Sequence, residues 1–207
     1  MTSSLIRRSL AAGAVLALSS CSSASDSLAP EERPESQLRL LSVTSDAPPI
    51  ATPIVSFYAV KGRNANVDLW YRPRAGRSDS TKFLEFRLGG NTLDKRPDGS
   101  PIADGDSVRI TVTVVDPVHF ILVFQPSGLT FSTNNPARLR MFFAECGDDL
   151  DRNGRVDSDD ENVKQRLSIW RQEVPGLPWF KVASAVVKVD KRVDADLAGF
   201  TGYALAY

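Results

Sequence analysis

The sequence predicts an all-β chain, an antiparallel β-sandwich with one short helix behind an inserted acidic loop. Three observations lead there. Short runs with period-two apolar alternation recur between residues 53 and 207, and such runs bury one face of a strand and wet the other. Turn chemistry separates them, as in Asp98-Gly99-Ser100-Pro101, Asp104-Gly105-Asp106 and Pro126-Ser127-Gly128. Helical periodicity is nearly absent, which favours one sandwich of about ten short strands. A domain of this span can bury one substantial core.

The N-terminus precedes the sandwich. Arg7 and Arg8 lead into an apolar stretch from Leu10 to Leu18, followed by Ser19-Ser20-Cys21. A positive flank, a short apolar run and small residues at the cut are the layout of a secretory signal. The run is too short to span a bilayer, which needs about 20 apolar residues. The cysteine at the cut resembles the lipobox of bacterial lipoproteins. That resemblance implies a signal peptide over 1–20, cleavage before Cys21 and lipid attachment on Cys21. Several acyl chains on one cysteine anchor firmly, at about 0.8 kcal/mol per buried methylene. Ser22 rather than Asp after the cysteine implies the outer membrane over the inner one. Residues 21–52, rich in Ser and Pro, read as a disordered tether; Leu38, Leu40, Leu41 and Val43 interrupt it as an early strand or a patch that docks on the domain.

Within 53–207 the clearest strand is Val108–Val114, where Val108, Ile110, Val112 and Val114 face one way and Arg109, Thr111 and Thr113 the other. Val67–Tyr71 and Arg138–Phe143 repeat the pattern, and Ile54–Val60 and Phe83–Leu88 are further strands. His119–Phe124 is nearly all apolar, so that strand is expected to be covered on both sides. Trp70, Tyr71, Trp170, Trp179 and Phe180 read as core aromatics before a ligand platform.

An acidic insertion follows over 145–166. In Asp149-Leu150-Asp151-Arg152-Asn153-Gly154-Arg155-Val156-Asp157-Ser158-Asp159-Asp160, oxygen groups stand at loop positions one, three and five: Asp149, Asp151 and Asn153. Gly154 at six permits a sharp turn. Arg155 at seven offers its carbonyl, Asp157 at nine a water-mediated contact, and Asp160 closes the loop at twelve. This is the ligand order of an EF-hand loop, and calcium takes six to eight such hard oxygens. Asp at twelve, in place of Glu, resembles dockerin loops. The competing reading is a solvated acidic turn. A helix is expected next, with Ser158-x-x-Glu161 as its capping box and Val163 with Leu167 as an i, i+4 pair.

The last strands are Leu167–Glu173, Trp179–Ala183, Ala185–Val189, Arg192–Leu197 and Tyr203–Ala206, with Pro175-Gly176 as a hairpin turn. The order Asp98-Gly99-x-Pro101, Gly105-Asp106-Ser107-Val108, Phe124-x-Pro126-x-Gly128-Leu129-x-Phe131, Pro136-Ala137-x-Leu139, and finally Gly199-Phe200-Thr201-Gly202-Tyr203-Ala204 resembles the ZU-five domain. The resemblance runs from about residue 83 to 207 and implies an immunoglobulin-like sandwich used for binding or scaffolding. Some members cut themselves at a His-Phe-Ser triplet. Here the triplet is Gly199-Phe200-Thr201, with no histidine, and self-cleavage is not expected.

The chain has 25 basic and 25 acidic residues. Without 1–20, which hold Arg7, Arg8 and no acid, the balance is 23 against 25, or −2. Such a chain has no global field to gather nucleic acid. Lipidation of Cys21 leaves Cys146 alone, a small apolar residue at a strand end or, as the sharper alternative, an intermolecular disulfide. His119 is the only histidine and sits among apolar neighbours, so no catalytic site and no enzyme are expected. The sequence reading is therefore a lipid-anchored, calcium-stabilised, monomeric envelope sandwich that binds an envelope protein or polysaccharide. A structural spacer without a ligand, or an envelope-polymer hydrolase, are the alternatives.

Overall fold

The computed structural model describes residues 30–207. The signal and Cys21 lie outside the described residues. The chain is an antiparallel β-sandwich of two open sheets.

The first sheet contains β1 (Glu32–Arg33), β2 (Ile54–Val60), β6 (Ser107–Asp116), β7 (Ile121–Gln125), β10 (Ser168–Gln172), β11 (Trp179–Lys181) and β14 (Gly202–Ala206). Their order is β1-β11-β10-β14-β7-β6-β2. The second contains β3 (Ala65–Trp70), β4 (Lys82–Leu88), β9 (Ala137–Phe142), β12 (Ser184–Val187) and β13 (Arg192–Leu197), ordered β12-β13-β9-β4-β3. The short strands β5 (Leu93–Lys95) and β8 (Thr130–Phe131) pair with each other. Eleven of the fourteen strands fall on runs expected as strands from the sequence; β1, β5 and β8 do not.

The core lies where the two inner faces meet. Val108, Ile110, Val112 and Val114 of β6 are all buried, as the alternation requires. Phe86 of β4 meets Phe124 of β7 across the sheets at a centroid separation of 5.0 Å, and Phe200 packs on both. Aromatic pairs of this kind add about 0.5–1.5 kcal/mol beyond their buried area.

Four expectations need correction. The first concerns residues 30–52, which are no free tether. Leu40 bridges to Ala206, the Leu41 amide donates to the Leu205 carbonyl at 2.9 Å, and the Val43 amide donates to the Val118 carbonyl at 3.0 Å. β7 pairs only with Gly202 and Tyr203 of β14, and this leader takes up the rest of that strand's edge. Leu41 is fully buried. Leu38 and Leu40 pack with Ile121 over Trp170 and Trp179, forming a small second core on the outer face of the first sheet. The docking alternative for these leucines is the one realised.

The second concerns 119–124. Leu122 and Phe124 are fully buried, but Ile121 and Val123 are only half-buried, so β7 has one core face and one partly open face. His119 and Phe120 belong to the preceding turn, where Phe120 adopts φ 57°. The third is the helix start. α1 (Ser158–Arg166) is capped by Asp157, with Asp160 as the reciprocal partner, one residue before the expected Ser158–Glu161 pair. The fourth is 188–189, which leave β12 for a 3-10 turn over Lys188–Asp190, with Val189 exposed.

Candidate metal centre

The insertion links β9 of one sheet to β10 of the other and so closes one end of the sandwich. It begins with a 3-10 turn over Ala144–Cys146, passes through the acidic loop and ends in α1. Two left-handed residues curl the loop, Arg152 at φ 61° and Gly154 at φ 84°. Gly154 adopts that conformation without penalty; a side chain such as Arg152 does so only when its surroundings hold it there. Arg152 is held by its guanidinium, which donates to the Asp149 carbonyl at 2.8 Å, to Ser42 Oγ at 3.1 Å and to the Ser42 carbonyl. The leader thus clamps the loop.

The curl brings three of the expected side chains together. One oxygen each from Asp149, Asp151 and Asp160 lie within 4.8 Å of one another. Asp149 accepts from the amides of Asn153 at 3.2 Å and Gly154 at 3.0 Å, which wraps the backbone around its carboxylate. Asp151 accepts from the Asn153 amide at 3.0 Å. Asp160 is buried, with 2 % of its surface exposed, and receives the amides of Leu150 at 2.5 Å, Asp151 at 3.3 Å and Asp157 at 2.9 Å. Its carboxyl is held below the usual range, first by the Asp157 amide, against an opposing push from burial.

The other three expected residues make further bonds in the loop or face solvent. Asp157 accepts from the Asp159 amide and serves as the helix cap. Asn153 directs its side-chain oxygen to the Arg155 amide and its nitrogen to Asp151. Arg155 is exposed. Three carboxylates, one of them buried, are hard oxygen donors of the type a calcium ion takes, and they fit such an ion as a partial set. Asp151 and Asp149 keep half-exposed positions from which water could complete the shell.

The acidic segment is also neutralised by protein groups that the sequence reading did not anticipate. Lys191 pairs with Asp148 at 2.9 Å, and Lys188 pairs with Glu161. Both lysines come from the turn before β13, so they tie the insertion to the second sheet. Their partners are held below the usual carboxylate range, Asp148 by Lys191 and Glu161 by Lys188. The pairing sits more than 25 residues away in the chain, beyond any local spacing rule.

Cys146 is fully buried in the 3-10 turn and its thiol is free. Burial pushes that thiol up to about 12, and a thiol so placed cannot meet another chain without local unfolding. His119 is half-exposed, with Nδ1 at 2.8 Å from Asp116 Oδ2. Ser42, Thr44 and Ser45 line the same depression. The Thr44 hydroxyl donates to the Glu145 carbonyl, and Ser42 Oγ accepts from Arg152, which lines the same depression. Thr201 lies just before β14, the last strand, and its hydroxyl donates to the Gly202 carbonyl at 3.0 Å. Tyr71, Trp170 and Trp179 are buried, whereas Trp70 is 40 % exposed, with Lys82 stacked over its ring.

No protein-family model, no curated protein and no solved structure matches the chain. No helix among the described residues is long and apolar enough to cross a membrane.

Proposed function

We propose that the chain is a lipid-anchored, non-catalytic β-sandwich of the cell envelope, stiffened by calcium and used as a binding or scaffolding module. Lipid attachment at Cys21 and placement on the outer membrane rest on the lipobox resemblance. The scaffolding role rests on the ZU-five resemblance. The observation that carries the calcium reading is the gathering of Asp149, Asp151 and Asp160 within 4.8 Å in a loop that curls about them. Bound there, the ion would pin the one long connection that closes the end of the sandwich.

Thermal unfolding with calcium and with chelator tests the ion. A ligand at 100 times its dissociation constant stabilises by about 2.7 kcal/mol, which in a domain of this size raises the melting temperature by roughly 5–10 °C. Asp149→Asn should abolish the calcium increment; both Asp149 oxygens receive loop amides, so the chelated variant should also melt somewhat below wild type, and the increment is the readout. Equal melts in calcium and chelator would dismiss the ion. Recovery of a partner from native envelopes with calcium, and its loss with chelator, would connect the site to binding.

A further inference from the structure

The first sheet ends on one side in β2, which reads Ile54-Val55-Ser56-Phe57-Tyr58-Ala59-Val60. Its only strand partner among the described residues is β6, so one row of main-chain groups faces outward along seven residues. Edge strands are normally protected by charges, by proline, by a bulge or by being short. β2 carries no charge and no proline, and its pairing with β6 has no register break. It is also incompletely covered on both faces. Ile54 and Tyr58 are 59 % and 68 % exposed on the outer face. Val55 and Phe57 rest on the core rim and are only partly buried.

We infer that β2 pairs antiparallel with β2 of a second copy of this chain, joining two seven-stranded sheets across a two-fold axis at Ser56. That register is self-complementary on both faces. It sets Ile54 opposite Tyr58 of the second copy, an aromatic with a β-branched residue, a favoured cross-strand pair. On the core side it sets Val55 opposite Phe57, which completes the cover of the rim. Ser56 meets its own copy. Charge selects the antiparallel direction. The Tyr58 end of the strand carries an excess of one basic group on these turns, Arg109 beside Tyr58 on β6 and Lys61 and Arg63 in the following turn against Asp104 and Asp106, and Asp106 is itself paired with Arg96. The Ile54 end carries one acid, Asp116, three residues beyond the Thr113 that pairs Ile54 and in contact with His119. Antiparallel pairing sets opposite charges across both ends, whereas parallel pairing would stack like on like. An isologous contact of this kind closes at two subunits. The dimer replaces the monomer expected from the sequence, and it deepens the binding-module reading by naming a partner.

Sedimentation of the full chain tests it, with Cys21→Ser present so that Cys146, which is buried, is the only other thiol. A concentration-dependent dimer is expected. Ser56→Lys sets two ammonium groups face to face on the axis and should weaken the dimer at least 100-fold, with a melting temperature matching wild type at concentrations where wild type is monomeric. Ser56→Cys should form a disulfide-linked dimer under mild oxidation, because directly opposed strand residues have Cα atoms about 4.5–5.5 Å apart, within disulfide reach. Ile54→Cys faces Tyr58 and should not cross-link. A chain that stays monomeric at every attainable concentration, a dimer indifferent to Ser56→Lys, or cross-linking as ready from Ile54→Cys as from Ser56→Cys would each overturn the proposal. None of these outcomes touches the calcium melts, so the two readings fail separately.

Discussion

Glu85 shows how one residue organises a face. It sits on β4 with 4 % of its surface exposed and receives Lys82 at 3.0 Å, Arg87 at 2.6 Å and Arg140 at 2.5 Å. Arg140 passes the link on to Asp194, and Asp194 pairs Arg192. The outer face of the second sheet is thus a cross-strand charge lattice from β4 through β9 to β13. Burial alone would raise the Glu85 carboxyl, but hydrogen bonds from Arg87, Lys82 and Arg140 overcome it and hold it at about 2. The folded value lies below the ordinary 4.5, so its stabilisation is complete above that pH and drains away as pH falls towards 2. The gap corresponds to on the order of 3 kcal/mol. Glu85→Gln should therefore destabilise by roughly 1–3 kcal/mol at neutral pH, since it takes the shared carboxylate from half-buried Lys82 and Arg140 and from exposed Arg87, and should flatten the stability profile between pH 5 and 2. Urea titrations at several pH values measure both. Parallel profiles for wild type and variant would dismiss the lattice. Gly199 makes a second residue-scale case. A Cβ there would meet the Leu129 carbonyl oxygen at 2.8 Å, and Gly199→Ala should cost about 1–3 kcal/mol by overpacking, read as a lower urea midpoint.

At the scale of elements, legibility followed periodicity. β2 and β13 match their expected spans because alternation and flanking turns agree. The capping box slipped by one because Asp157-x-x-Asp160 and Ser158-x-x-Glu161 both satisfy the pattern; the burial of Asp160 decided between them. β7 looked covered on both sides because composition cannot show that Phe120 turns left-handed and belongs to the turn. The acidic loop was legible as a curl with Asp149, Asp151 and Asp160 inside it, whereas the capping role of Asp157 was not, because the same residue type suits both a helix cap and a water-mediated contact. The leader was the least legible. Its leucines lie among Pro and Ser without a period, and its partners are at the far end of the chain. Arg39 gives a direct check. It lies in the docked leader, with its carbonyl receiving the Tyr207 amide at 3.0 Å, while Arg74 and Arg77 sit in an exposed loop. Brief trypsin treatment should cut after Arg74 or Arg77 well before Arg39. Early cleavage after Arg39 would mean that the leader is free.

For the molecule as a whole, topology sets the order of assembly. Nearly every strand pairs with one distant in sequence: β2 with β6, β4 with β9, β7 with β14. Such folds lose much chain entropy before contacts reward it, and they fold slowly, in milliseconds to seconds. The leader is the extreme case, because Leu40 and Leu41 bond to Ala206 and Leu205, at the opposite end of the described chain. It also needs its slot to exist, and that slot is made only when β7 and β14 have paired and left the β14 edge open beyond Tyr203. Leader docking is therefore a late event. Leu41→Ala, which empties a fully buried site, should lower equilibrium stability by about 2–5 kcal/mol. Because the contact forms after the rate-limiting barrier, that loss should appear almost wholly as faster unfolding, with folding rates little changed and a φ-value below about 0.3. Leu122→Ala in β7, a core position between β6 and β14, should slow folding instead. Stopped-flow chevrons on the two variants separate the cases. A Leu41→Ala chevron displaced on its folding arm would place the leader in the nucleus, and the end of the chain would then have to meet its beginning before the sandwich could close.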